Sequence, residues 1–125
     1  MRVDDYIKQL LYRYDCVIVP GLGAFIAQTN SSQYHEVNHK FTPPFKQIAF
    51  NRAIQNQDGL LAETIAKAES INFEKAKFKI QLFVEDFFKA IAEDKHITIS
   101  KLGVFSLDEE NNLFFEPLNK VNYLS

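Results

Sequence analysis

An α+β fold, made of two tandem units that each combine helices with a three-stranded antiparallel meander and packed as a pseudo-dimer, is predicted by three observations. The stretch Val17 to Phe25 returns eighty residues later as Ile97 to Phe105. In both copies an alternating apolar run meets a Leu-Gly turn, with a Phe two residues beyond the Gly. Each copy is preceded by residues at helical spacing and closed by a further short aromatic strand.

The elements follow in chain order. Val3, Ile7, Leu10, Leu11 and Tyr14 recur at helical spacing, and Asp4 and Asp5 occupy the first turn, where the helix dipole favours acids. Val17 and Val19 put one strand face inward, and the chain reverses at Leu22-Gly23. Gly23 and its counterpart Gly103 stand where a turn needs positive φ or a close backbone approach, both obstructed by a Cβ. Residues 29 to 46 read as a long polar connection, and Pro43-Pro44 exclude helix through its end. Gln47 to Asn51 is the third strand, and Arg52 to Gln57 reads as a brief helical turn ending at Asp58-Gly59. Leu61, Ile65 and Ala68 mark one helix. Asn72 is a plausible N-cap for a second reaching about Asp94, with Ala76, Ile80, Phe83, Val84, Phe87 and Ile91 as its inner stripe. Ile97 and Ile99, the turn Leu102-Gly103, Phe105, and the strand Leu113 to Glu116 complete the second meander. The expected units are 1–58 and 59–125.

Two isolated units of about sixty residues would each be marginal, so they are expected to share a core or lean on each other. Hydrophobic residues make up 46% of the chain, with twelve Phe and five Tyr, enough for a packed interior. The net charge of -2 exerts no overall pull toward nucleic acid or acidic membrane. Residues 1–58 hold six Lys/Arg against five Asp/Glu, whereas residues 59–125 hold eight against eleven, so the second half is acidic. The single Cys16 cannot form an internal disulfide and reads as a small buried hydrophobe, which suits a reducing compartment. No signal-like or membrane-spanning apolar run is present, and the expected location is the cytoplasm or the cytoplasmic face of the inner membrane. An ending just after Asn122-Tyr123-Leu124 reads as the edge of a fragment.

From Leu60 to Glu116 the order of helix, helix, strand, Leu-Gly turn, strand, strand resembles the HU and integration-host-factor superfamily of bacterial nucleoid proteins. Residues 1–58 look like an abbreviated copy with one leading helix. LLYRYDCVIVPGLGAF, FTPPFKQIAFN, DGLL and LFFEPLNKVNYL, taken in order, are similar to a divergent tandem HU-like family. Such pairs occur at the cytoplasmic N-terminus of bacterial membrane proteins whose outer SPOR domain binds peptidoglycan. The resemblance implies an obligate pairing of two copies, met here within one chain, and in HU itself a DNA clasp made by two basic β-arms with a proline wedge at each tip. This chain departs from that pattern. The second arm position has shrunk to Asp108-Glu109-Glu110-Asn111-Asn112, which would repel phosphate. The first offers only Lys40, Lys46 and two histidines, with Pro43 and Pro44 beside the third strand.

Among candidate sites, His35-Glu36-Val37-Asn38-His39 spells the zinc-peptidase motif, but it lies in a polar stretch with Pro43 close behind, so a chance match is the plainer reading. Lys40, Phe41, Phe45, Lys46 and Arg52 form the one basic-aromatic cluster, a candidate contact for nucleic acid or a partner. Three cations neutralise few phosphates, so DNA binding through them would be weak and salt-sensitive. Lys75, Lys77, Lys79 and Lys89 are interleaved with Glu74, Glu85 and Asp86 and read as a solvated face. Phe41, Phe45, Phe78, Phe88, Phe114 and Tyr123 together exceed what so small a core readily buries, which points to a partner surface. No catalytic constellation, CxxC pair or phosphate loop is present, and Gly21-Leu22-Gly23 lacks the third glycine of a dinucleotide site. The expected function is a non-enzymatic, cofactor-free module that binds a protein or itself, with weak DNA binding as the alternative.

Overall fold

The structure, a computed structural model, describes residues 2–30, 33–35, 40–42, 45–56, 58–99 and 102–117, with side chains described only outside 29–46. Helix α1 (Val3–Leu11) buries Tyr6, Ile7, Leu10 and Leu11 on one side, and the Asp5 carboxylate accepts the Arg2 backbone N–H at 3.0 Å to secure its first turn. Tyr14, expected on the helical stripe, lies past the helix end and is exposed.

Strands β1 (Cys16–Val19), β2 (Gly23–Asn30) and β5 (Phe45–Asn51) form one antiparallel sheet in the order β1-β2-β5. Strands β6 (His96–Ile99), β7 (Gly103–Leu107) and β8 (Leu113–Pro117) form its counterpart, in the order β6-β7-β8. The repetition extends to the atoms of the turns. Leu22 N–H donates to Val19 O at 2.9 Å, and Leu102 N–H donates to Ile99 O at 3.0 Å. Val17 faces Phe25 across the first ladder as Ile97 faces Phe105 across the second. Both glycines sit against the third strand of their sheet. A Cβ on Gly23, whose φ is 147°, would stand 2.6 Å from the Phe50 ring and 2.8 Å from Asn51 O. One on Gly103 would stand 2.5 Å from the Phe115 ring and collide with Glu116 O.

The polar connection expected over 29–46 is instead strand along much of its length. β3 (Gln33–His35) pairs with β4 (Lys40–Thr42), and its partner numbers add to the same constant as those of β2 with β5, so the two ladders share one register. Tyr34, Phe41 and Thr42 favour extended backbone locally. The expected helical turn at 52–57 is replaced by a tighter device. Arg52 and Ala53 form a turn, the Asn51 side chain accepts Ala53 N–H at 2.9 Å, and Gln55 Nε2 donates to Arg52 O at 2.8 Å, so side chains take the bonds that a helix would make. Gln57, Pro43 and Pro44 lie outside the described residues.

Helices α2 (Leu60–Glu69) and α3 (Phe73–Asp94) form a hairpin. α2 buries Leu61, Ala62 and Ile65, whereas Ala68, expected on the inner face, is exposed. Asn72 caps α3 as expected, its side-chain oxygen accepting Lys75 N–H at 2.8 Å. The anticipated stripe of Ala76, Ile80, Val84, Phe87 and Ile91 is buried, with Phe83 packed at its margin. Tyr6 of α1 donates to Glu69 of α2 at 2.9 Å, and Lys79 of α3 donates to the other oxygen of the same carboxylate at 2.5 Å, joining three helices through one side chain.

The core is continuous across both halves. Phe25 and Phe50, opposite each other in the first sheet, meet Phe105 and Phe115, opposite each other in the second. Centroids lie 4.9 Å apart for Phe50 and Phe105, and 5.9 Å apart for Phe25 and Phe105. Equivalent residues of the two meanders thus build one aromatic centre, and neither half buries its sheet alone.

Candidate functional site

Beside α3 this packing leaves a groove of about 770 Å³. Its floor is apolar, made by Leu61, Ala62, Ile80 and Val84, which already face the core. The β1–β2 turn supplies one wall through Ile18, Pro20 and Gly21, and Asp58-Gly59 closes the end at the start of α2. The other wall is α3, where Phe73, Lys77, Gln81 and Glu85 recur at helical spacing beside the buried stripe. Gly59, at φ 75°, leaves the Phe73 ring space 3.4 Å from where a Cβ would stand.

The aromatic surplus is partly surface. Phe78 is 57% exposed, Phe114 54% and Phe73 43%, and Leu82 of α3 is also exposed. Of these Phe73 and Phe78 line the groove, whereas Phe114 lies on β8. Phe88 is half-buried, while Phe41, Phe45 and Tyr123 have no described side chains. Sequence reasoning overlooked Phe73. The available signal was its place just after the Asn72 cap, three residues before Ala76 and seven before Ile80, which continues the apolar stripe to the start of the helix.

The basic-aromatic set spans two strands and the turn after the second. Lys40 and Phe41 lie on β4, Phe45 and Lys46 on β5, with their side chains outside the described residues. Arg52 is described, and its Nη1 donates to Gly21 O at 3.2 Å and Leu22 O at 2.6 Å while the guanidinium lies 5.1 Å from the Phe88 ring centroid. It therefore pins the β1–β2 turn to α3 and holds that wall of the groove. No sequence pattern announces this, because the partners lie thirty residues before and thirty-six after.

The acidic turn of the second meander is a tight side-chain-built reversal. Asp108 Oδ1 accepts the backbone N–H groups of Glu110 at 2.9 Å and Asn112 at 2.8 Å, and Asn111 takes the left-handed conformation at φ 64°. These bonds, that from Asn112 foremost, hold the Asp108 carboxyl below its ordinary pKa. The turn therefore stays anionic at neutral pH and presents no arm.

The lysines of α3 are partly engaged: Lys77 lies 3.8 Å from Glu74, and Lys79 is bound to Glu69. Among the described residues no three His, Cys, Asp or Glu side chains converge to hold a metal. His35, the first residue of the zinc-like motif, sits in strand β3 opposite Lys40, so the helical turn that motif needs does not start there; Glu36 to His39 lie outside the described residues. Cys16 is half-buried, and burial, with the Asp58 charge adding, pushes its thiol pKa up, the opposite of an activated nucleophile. No described helix is long and apolar enough to cross a membrane.

Residues 1–58 match the family described as CCDC81-like prokaryotic HU domain 1, and residues 59–125 match CCDC81-like prokaryotic HU domain 2. No curated protein and no solved structure matches the chain.

Proposed function

The chain belongs to the CCDC81-like prokaryotic HU domain family, domain 1 followed by domain 2, and on that footing we propose that it is a non-enzymatic interaction module binding a protein partner or a second copy of itself. The observation that carries the reading is the apolar groove with Phe73 and Phe78 exposed at its mouth, on a chain whose second arm position is an acidic turn. In this reading residues 1–58 and 59–125 act as one rigid platform, because they share a core. The order of sequence motifs further supports placing the module at the cytoplasmic end of a longer SPOR-domain envelope protein.

A second reading, weak sequence-independent DNA binding, is supported by two cations on paired strands, Lys40 on β4 and Lys46 on β5, in ladders of one register. Labelled duplex DNA titrated at low and near-physiological salt separates the two. The protein-binding reading expects no saturable duplex binding near physiological salt, and discrete crosslinked adducts in lysate. Tight duplex binding that falls steeply with salt and is lost with Lys46→Glu would replace it with the DNA reading.

A further inference from the structure

We propose that the groove between the β1–β2 turn and the N-terminal half of α3 receives a basic amphipathic helix of a partner protein. This rests on the reading of the chain as a protein-binding module and adds the partner's chemistry. From Phe73 to Glu85, α3 rises about 18 Å, so the wall is long enough for roughly three turns of a helix laid beside it. An occupant of that length presents apolar side chains at i, i+3 or i+4, and i+7 to one face. Phe73 and Phe78 offer it exposed rings, and Val84 the small accessible part of the floor.

The rim decides the sign of the partner. Asp58, Glu74 and Glu85 stand around the groove against Lys77 as the one cation among its lining residues. That ammonium is already drawn to Glu74 at 3.8 Å and to the Phe73 ring at 5.6 Å. Three carboxylates against that engaged ammonium and the Arg52 guanidinium, which is held on the carbonyls of Gly21 and Leu22, still leave a net negative collar around an apolar floor. A second copy of this chain docking by the same face would bring two such collars together, as an isologous contact requires, and would be repelled. Phosphate is repelled for the same reason. Lys or Arg flanking the apolar face of a helix meets both demands, the stems lying on apolar surface and the charged heads on the collar.

The test is anisotropy of two labelled helical peptides of about five turns, one of Leu and Lys and one of Leu and Glu with the same apolar spacing, titrated with the full chain. The expected result is saturable binding of the Leu-Lys peptide, about tenfold or more tighter than the Leu-Glu peptide. Phe78→Ser is expected to weaken it about fivefold or more. Glu74→Lys combined with Glu85→Lys is expected to reverse the preference between the peptides. All three positions are exposed, and an unchanged thermal melt verifies the fold of each variant. The proposal is overturned by absence of binding, by equal affinity for both peptides, by indifference to Phe78→Ser, or by a wild-type dimer in light scattering that Phe78→Ser dissolves. Those failures leave the module reading standing wherever lysate crosslinks survive Phe78→Ser. That reading fails separately, on the duplex titration.

Discussion

Replacing Phe105 with Ala tests whether the two meanders are one cooperative body. The ring is fully buried and lies 4.7 Å from Phe115, 4.9 Å from Phe50, 5.0 Å from Phe87 and 5.9 Å from Phe25. Truncating a core Phe to Ala costs about 3–5 kcal/mol. The upper part of that range applies, because four ring partners each lose a T-shaped or tilted contact worth about 0.5–1.5 kcal/mol beyond area. A chain of this length has a total stability of roughly 6–19 kcal/mol, so the loss is a large fraction of it. With an unfolding entropy of about 0.26 kcal/mol/K for the whole chain, a loss of about 4 kcal/mol lowers Tm by about 15 °C. Scanning calorimetry measures that shift, and amide exchange shows where protection is lost. Because Phe25 and Phe50 belong to the first half, the amides of β1 and β2 are expected to lose protection together with those of β6 and β7, in one transition whose calorimetric and van't Hoff enthalpies agree. A shift below about 4 °C, or a transition confined to residues after 59, would refute the shared aromatic centre. The pair Phe25→Ala and Phe105→Ala should be non-additive by about 0.5–3 kcal/mol.

Gly103→Ala places a methyl against Glu116 O and the Phe115 ring, neither of which can retreat without moving β8 or the core, so a cost of about 1–3 kcal/mol is expected as a lower urea midpoint with unchanged m. Asn72→Ala removes the cap of α3 and is expected to cost about 1 kcal/mol in the same assay. The hydrogen bond from Lys79, and then that from Tyr6, hold the Glu69 carboxyl below its ordinary pKa. A folded-state pKa below the unfolded one gives stability that is present above the unfolded value and lost as pH falls through the folded one. Glu69→Gln should therefore flatten the acid limb of a stability-versus-pH curve below about pH 4.5; identical acid slopes in the two proteins would show that the three-helix link carries no such linkage.

Much of the fold is legible because its determinants are local. Hydrophobic period distinguishes the strand around Val17 and Val19 from the α3 stripe of Ala76 to Ile91, and the side chain of Asn72 meets an N–H three residues away. Gly23 and Gly103 are readable as glycine-requiring, since duplication shows the same residue at the same turn. The candidate site is less legible. The aromatic surplus could be counted, but its division into a centre of buried Phe25 and Phe105 with Phe50 and Phe115 partly buried against them, and the exposed Phe73, Phe78 and Phe114, could not. Residues 29–46 carry little alternation, so the pairing of Gln33–His35 with Lys40–Thr42, in the register of β2 with β5, was not legible in their pattern.

What the sequence by itself determined is therefore the duplication, the order of the helices and the two meanders, the inner stripe of α3 and the acidic second turn. Tertiary structure alone decided that Arg52 clamps the β1–β2 turn to α3, and that residues 18–21, 58–62 and 73–85 meet around one acidic-rimmed groove. The physical reason is that periodicity reports which face of an element is apolar, whereas a groove depends on which other element covers that face and how far along it the cover reaches.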